Sequence, residues 1–351
     1  MKVRLGDHLD FSNGSGSPPR GAAGEVPVYG ANGPIGYATQ PNARGPLIVI
    51  GRVGTYCGSV CYSDSDVWVT DNAFVCRAKS PAETRYWYYA LQACRLNEHR
   101  GGSGQPLLNQ RILRDVVARA ADADQRRRIG GLLGAVDDKI AANRRVIGAA
   151  EALMVAMVEA LDDCAPLCEV ATGACVVRQP GQFDDTVAHF SFSAFDDGAW
   201  PQSVDSRSIR SAKIVLPEAC VLVSKLNPRT PRIWDVVGLP AEMAVASTEF
   251  VALRPLGCGT SALWSALRQP GVSEALQQRV AGTSQSRQRI RQGELMELPV
   301  RDIRRLSAEA ADTIAELGAL CHARRSESVR LSSYRDSVLP LLISGGVRIN
   351  P

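Results

Sequence analysis

Apolar positions along this chain keep two alternating rhythms. Up to about residue 121 they come as short runs, at 26–29, 47–50, 67–70 and 73–76, separated by Gly, Pro and Asn. Runs of that length between turn residues predict strands, and residues 83–96 predict a helix beside them. From 124 to 162 the rhythm changes. Ile129, Leu132, Val136, Ile140, Ile147, Ala150, Met154, Met157 and Leu161 follow one another mostly in steps of three and four. That spacing predicts one long amphipathic helix with a coiled-coil seam. Short runs then return at 221–223, 232–237 and 250–253, with a helical patch at 261–280. A second long helix is predicted at 307–342, its seam carried by Ile314, Leu317, Cys321, Leu331, Val338 and Leu341 and interrupted by Arg324 and Ser328.

The order globular, helix, globular, helix suggests an internal repeat, and ordered matches support it. The run Leu47-Ile48-Val49-Ile50-Gly51-Arg52 is answered by Cys220-Val221-Leu222-Val223-Ser224-Lys225. Thr70-Asp71-Asn72-Ala73-Phe74 is answered by Ser247-Thr248-Glu249-Phe250, and Gly101-Gly102-Ser103-Gly104-Gln105 by Ala281-Gly282-Thr283-Ser284-Gln285. The offset grows from 225 − 52 = 173 to 285 − 105 = 180, so the matches keep their order across small insertions. Domain boundaries follow at 1–121, 122–163, 164–305 and 306–343. Neither long helix can bury its apolar strip alone. The expected fold is α/β: two globular α/β domains joined by two long antiparallel helices forming a coiled-coil spacer, with an internal pseudo-twofold repeat. Each helix would be roughly 50–60 Å long at 1.5 Å per residue. Asn143 falls on the first seam between Ile140 and Ile147. Buried there it would fix register through a polar partner across the interface; the alternative is a solvated residue at an imperfect seam.

Composition narrows the class only a little. The 351 residues carry a formal charge of +4, too mild to argue for nucleic acid unless cations cluster locally. Ten cysteines occur without a Cys-x-x-Cys pair, so most read as small buried hydrophobes. A zinc site from Cys57, Cys61 and Cys76 would lack a second paired knuckle. The opening Met1-Lys2-Val3-Arg4 reads as no leader and no apolar stretch spans a bilayer, so free thiols in a reducing cytoplasm are expected, with no membrane partner. Catalytic motifs are missing. Asn227-Pro228-Arg229-Thr230 lacks the second Pro and the aromatic of an amino-methyltransferase loop, and no phosphate loop ends in Gly-Lys-Ser/Thr. His8, His99, His189 and His322 stand apart from acids and nucleophiles in sequence.

Several segments in order resemble the specificity (S) subunits of type I restriction-modification systems. Tyr29-Gly30-Ala31-Asn32-Gly33-Pro34-Ile35-Gly36 is similar to the family's opening signature. Ile50-Gly51-Arg52-Val53-Gly54-Thr55-Tyr56-Cys57-Gly58 is similar to its IGRxGSxCG loop, and Trp68-Val69-Thr70-Asp71-Asn72-Ala73 to its TDNA strand. Gly101-Gly102-Ser103-Gly104-Gln105-Pro106-Leu107-Leu108-Asn109-Gln110 resembles its GGSxQPxLNQ segment. Asp137-Asp138-Lys139-Ile140 and Asn143-Arg144-Arg145 resemble its central spacer helix. In the second half Ser224-Lys225-Leu226-Asn227-Pro228-Arg229 and Ser247-Thr248-Glu249-Phe250 also fit. After Gln285 the chain departs from the pattern, reading Ser286-Arg287-Gln288-Arg289.

The resemblance implies two target-recognition domains, each reading one half of a bipartite, asymmetric site in double-stranded DNA, and no catalysis in this chain. It implies two modification subunits that hold S-adenosylmethionine and methylate adenine, and restriction subunits that use ATP and Mg; this chain would need no cofactor. Ile140, Asn143, Ile147, Met154, Leu317 and Leu331 would serve the spacer and partner docking. For DNA, Arg52 and Lys225 hold matched places at strand ends, where a cation can meet a phosphate or, if Arg, read guanine; a structural ion pair is the plainer alternative. Arg229 and Arg232 extend the second patch. Ser103, Gln105 and Asn109 offer hydroxyl and amide groups, with Arg100 just before them and Asn32 on the first turn. Ser103 and Asn109 could equally cap a turn or helix. Arg287 and Arg289, with Arg291, form a one-sign run suited to a phosphate clamp or a solvated face. The aromatic cluster Tyr86, Trp87, Tyr88 and Tyr89 must place at least two rings in the core, which outweighs a base-stacking platform. Two rival functions remain: a recognition scaffold for another nuclease or defence assembly, and a stand-alone enzyme with a site assembled across domains.

Overall fold

The computed structural model describes residues 1–18, 24–101, 107–173, 176–227, 230–278 and 288–350. It divides into two compact units, Met1–Asp138 with Leu331–Pro351, and Lys139–Arg330. Elements of the first unit run β1 (Lys2–Arg4), α1 (Leu5–His8), β2 (Leu9–Asn13), β3 (Val26–Gly30), β4 (Gly33–Ala38), β5 (Leu47–Gly51), β6 (Val60–Ser63), β7 (Trp68–Val69), β8 (Ala73–Ala78), α2 (Thr84–Ala93), α3 (Gln110–Asp115) and β9 (Val117–Arg119). The long helix α4 (Ala123–Glu159) starts in this unit and continues into the second. Next come β10 (Cys164–Pro166), α5 (Leu167–Val170), β11 (Ala171–Gly173), β12 (Val176–Arg178), β13 (Thr186–Phe190), α6 (Phe192–Asp196), β14 (Gln202–Asp205), β15 (Lys213–Val215), β16 (Cys220–Ser224), β17 (Ile233–Val236), β18 (Met243–Ser247) and β19 (Phe250–Pro255). Helices α7 (Thr260–Leu267), α8 (Pro270–Gln278) and α9 (Gln292–Met296), strand β20 (Pro299–Arg301) and the second long helix α10 (Ala308–Ser344) complete the chain.

Each unit holds a four-stranded antiparallel sheet of the same plan, β2-β8-β5-β6 in the first and β11-β19-β16-β17 in the second. Each also has a two-stranded pair, β1-β9 and β10-β20, followed after its first strand by a four-residue helix. The repeat read from the sequence is therefore a repeat of structure. The continuous apolar runs have a common cause. On β5, Ile48 and Ile50 face a core with Trp87 and Leu133, whereas Leu47 and Val49 face a second core with Val67 and Val69. On β16, Val221 and Val223 face Leu263 and Met154, whereas Cys220 and Leu222 face Phe190 and Trp234. Alternate side chains point to opposite faces, so a strand between two cores must be apolar at every position.

The secondary cores rest on further sheets, β4-β3-β7 in the first unit and the five-stranded β12-β15-β18-β13-β14 in the second. Residues 186–205 gave no strand signal in the sequence because β13 and β14 mix apolar, hydroxyl and amide residues in four- and five-residue segments. The 261–280 patch is two helices rather than one, since Pro270 opens α8 at a first-turn position that needs no N–H donor.

The long helices run antiparallel inside each unit. In the second, Arg325 pairs with Glu151 and Cys321 lies against Ile147; in the first, Arg335 reaches Asp137 at 2.6 Å and Ile349, beyond the helix end, meets Gln125. The seam of α4 is shifted slightly from expectation. Leu133 and Val158 are the buried members, whereas Leu132 is exposed and Met157 only half-buried. On α10 Leu342 and Ile343 are buried and Leu341 is exposed. Asn143 is buried, and its amide donates to Glu327 Oε2 at 3.0 Å and to Ser328 Oγ at 3.2 Å. The polar interruption of the second seam is thus the partner of the polar residue on the first. Asn143 is not solvated; it ties α4 to α10 at one register.

Helix α10 crosses α7 at Gly318, where a β-carbon would collide with the Ser261 hydroxyl. Gly318→Ala is expected to lower stability by about 1–3 kcal/mol through overpacking. Urea denaturation of the variant checks this, and a wild-type midpoint would contradict the close approach.

The aromatic cluster of α2 is structural. Tyr86, Trp87 and Tyr89 are buried. The Tyr86 hydroxyl accepts from Ala121 N–H at 2.9 Å, and the Tyr89 hydroxyl donates to Asp137 at 2.5 Å. No helix among the described residues is long and apolar enough to cross a membrane.

Candidate nucleic-acid interface

Arg52 stands where β5 ends, and three sequence segments converge on its backbone. Its N–H donates to Asn72 O at 2.9 Å, within the Thr70–Asn72 turn before β8. Its carbonyl accepts from Leu108 N–H at 3.0 Å and from the Cys57 thiol at 3.2 Å. The turn carrying Asn32 joins from the other side, because Ser59 Oγ donates to Ala31 O at 2.5 Å. Gly51 makes this possible: a β-carbon there would collide with the carbonyls of Ala31 and Tyr56.

The second unit builds the same junction around Lys225. Its N–H donates to Glu249 O at 2.8 Å and its carbonyl accepts from Ile290 N–H at 3.0 Å. Between the junctions the offsets are 225 − 52 = 173, 249 − 72 = 177 and 290 − 108 = 182, continuing the slow growth seen in the sequence. A strand-end cation thus gives its N–H to one loop and its carbonyl to another in both units.

Side chains differ in how far they are committed. The Arg52 guanidinium makes no ion pair among the described residues. It lies 5.6 Å from the Phe74 ring centroid and reaches only the Asp71 carbonyl, at 3.5 Å. Neither the Lys225 ammonium nor the exposed Arg100 side chain makes a hydrogen bond or ion pair among the described residues, Arg100 acting only through its charge on the Cys57 thiol, and Asn32 is exposed at its turn. Arg232 is held by Asp196 through two hydrogen bonds of 2.8 and 2.7 Å over the Phe192 ring. Those bonds hold the Asp196 carboxyl below the usual carboxylate range. Arg289 pairs with Glu249 at 2.8 Å. The plain ion-pair alternative for Arg52 and Lys225 finds no partner among the described residues, whereas Arg232 and Arg289 are the cations that are paired. Asn109 caps α3, its side-chain oxygen accepting from Ile112 N–H at 2.8 Å, which uses the group otherwise offered to a base. Ser103, Gln105, Arg229 and Arg287 lie outside the described residues.

Ile140, Asn143 and Met154 are buried and Ile147, Leu317 and Leu331 half-buried, so these positions serve intrachain packing. The large apolar side chains that the long helices leave exposed include Leu132, Val146, Leu153, Val329, Tyr334 and Leu341. The first unit also has a polar groove that sequence reasoning missed, lined by Asn13, Asn42, Arg44 and Arg77 among others. Arg77 was its one legible sign, a cation inside the otherwise apolar strand β8. Among the described residues no group of His, Cys, Asp and Glu side chains could hold a metal ion. Cys57 is buried, which pushes its thiol up, and Cys76 is pushed up further by complete burial.

Comparison with solved structures gives the S subunit of a type I restriction-modification system from M. genitalium, with a TM-score of 0.64 at 13% identity over 97% of this chain and 95% of that one. The chain has the fold of a type I S subunit. The HsdS subunit from Thermoanaerobacter tengcongensis aligns over 99% of this chain and 97% of that one at 14% identity, with a TM-score of 0.33. In sequence, the specificity subunit of the type I restriction enzyme EcoprrI from Escherichia coli is 28% identical over 106 residues, 30% of this chain. The matched stretch spans about a quarter (26%) of that curated relative's length. No family model matches. The resemblance read from the sequence motifs is borne out.

Proposed function

We propose that this chain is the non-catalytic DNA-recognition subunit of a type I restriction-modification complex. Each unit reads one half of a bipartite, asymmetric site in double-stranded DNA. The observation that carries this reading is the pair of matched junctions at Arg52 and Lys225, each presenting a cation with no acid partner among the described residues. A cation on a loop held by backbone hydrogen bonds can meet phosphate or a base edge without first breaking an ion pair. Asn32 and Arg100 extend the first patch; Ser103, Gln105, Arg229 and Arg287 are assigned to DNA contact from the sequence alone. Arg232 and Arg289 reach DNA only if Asp196 and Glu249 release them, and Asn109 shapes its loop.

The domain boundaries proposed from the sequence, 1–121 and 164–305 for recognition and 122–163 and 306–343 for the spacer, assign the long helices a second task. Their exposed apolar residues offer a surface to two modification subunits, which supply S-adenosylmethionine and methylate adenine. Restriction subunits with ATP and Mg complete the assembly, and this chain contributes address and geometry from a cytoplasmic complex.

The test is co-expression with the modification subunit encoded beside it, in a host free of DNA methylation, followed by genome-wide mapping of methyladenine. A two-part motif with a fixed gap is expected. A single short motif would limit recognition to one unit. No methylation, from a partner active with another specificity subunit, would favour a scaffold for a different assembly.

A further inference from the structure

The second unit contains a partly open cavity of about 250 Å³, lined by Phe190, Trp200, Trp234, Asp235, His322 and Arg325 together with Ser326 and others, none of them a Lys225 junction residue. Its walls are aromatic. Trp234 packs on Phe190 with centroids 4.8 Å apart, and Trp200 tilts against the His322 ring at 5.0 Å. His322, Arg325 and Ser326 are spaced to share one face of α10. Trp200 is held at the rim by the left-handed backbone of Ala199, at φ 54°, whose N–H donates to Phe195 O.

Polar groups on these walls are only partly used. The nitrogens of Trp200, Trp234 and His322 have no hydrogen-bond partner among the described residues, and none of them is sealed from solvent. Arg325 pairs with Glu151. Asp235 also lines the cavity: one carboxyl oxygen accepts from Ser261 Oγ at 2.6 Å, the other is buried without a hydrogen-bond partner among the described residues, and burial pushes the carboxyl above its usual range. Burial and the neighbouring Arg325 lower the pKa of His322, which keeps the imidazole neutral with one donor and one acceptor nitrogen.

We propose that this cavity binds an uncharged planar heteroaromatic of one or two rings, of the nucleobase class. Flat aromatic walls favour a flat guest through stacking. Free indole and imidazole nitrogens favour ring nitrogens and amino groups over a hydrocarbon. The paired Arg325 leaves no spare cation for a phosphate, so a base or nucleoside fits better than a nucleotide. The volume lies below the roughly 300–1,000 Å³ of drug-sized sites, which matches a guest this small.

The experiment titrates the full chain with 2-aminopurine and follows its fluorescence, which stacking on tryptophan quenches. Saturable quenching is expected, displaced by adenine. Trp200→Ala and the cavity-filling Ser326→Trp should each weaken it at least tenfold, with circular dichroism and melting temperature checked for each. His322→Phe keeps the ring and removes both nitrogens, so a loss of about fivefold to tenfold separates hydrogen bonding from stacking. Absence of saturable binding would overturn the proposal. So would naphthalene displacing the probe as well as adenine does, or adenosine monophosphate binding more tightly than adenosine. If neither Trp200→Ala nor Ser326→Trp changes binding, the probe sits elsewhere and the proposal also fails.

Discussion

Arg126→Met is expected to destabilise the first unit by about 3–5 kcal/mol, the cost of leaving one member of a buried ion pair without its partner. Arg126 and Glu83 are both buried, with Nε to Oε2 at 2.7 Å and Nη2 to Oε1 at 3.2 Å. The same guanidinium donates to Ala121 O at 2.9 Å and lies 5.7 Å from the Trp87 ring centroid. After substitution the Glu83 carboxylate would keep only the Trp87 indole N–H, at 3.3 Å. This network joins the start of α4 to the start of α2, so its loss should loosen the core around Trp87. Urea denaturation measures the effect. The double variant Glu83→Leu, Arg126→Met should recover much of it, because apolar replacement of a whole buried pair is often close to neutral. A loss below about 1 kcal/mol in the single variant would place the pair with solvated surface bridges instead.

Arg52→Ala should cost recognition of one half-site, with little loss of stability. The loop is held through the backbone N–H and carbonyl of residue 52, which alanine also has. A specific base contact by arginine contributes about 1–3 kcal/mol, so methylation of matched sites should fall about 5- to 150-fold while the other half-site keeps its sequence requirement. Arg52→Lys separates two roles. If the residue reads guanine through two hydrogen bonds, lysine will not replace it; if it meets phosphate, lysine will largely do so. Lys225→Ala should act on the second half-site, and a phosphate role there would lower the salt dependence of binding by about one counterion. Unchanged motifs and efficiencies in both alanine variants would remove these residues from the interface.

Much of this architecture was legible because two kinds of position speak directly. Strand β5 and strand β16 lie between two cores each, so both faces must be apolar and the runs stand out. The seam of α4 was legible within one residue, since burial at steps of three and four leaves a periodic trace. Strands β13 and β14 were not, because short segments of mixed polarity carry no periodic signal. At the junctions, Arg52 and Lys225 were found from their place after matched runs. The commitments of Arg232 to Asp196 and of Arg289 to Glu249 could not be, as those acids lie 36 and 40 residues away in the chain. Asn143 shows both sides. Its seam position was visible, but its partners sit on the other long helix, 184 and 185 residues later.

The way each junction is tied has an evolutionary consequence. Main-chain groups are the same in every residue except proline, so the path of the loop does not depend on which side chain it displays. If positions 52 and 225 read DNA as proposed, either side chain can be exchanged without rebuilding the loops that hold it. Under that reading, a lineage carrying this scaffold can change the address it recognises faster than it can change its shape.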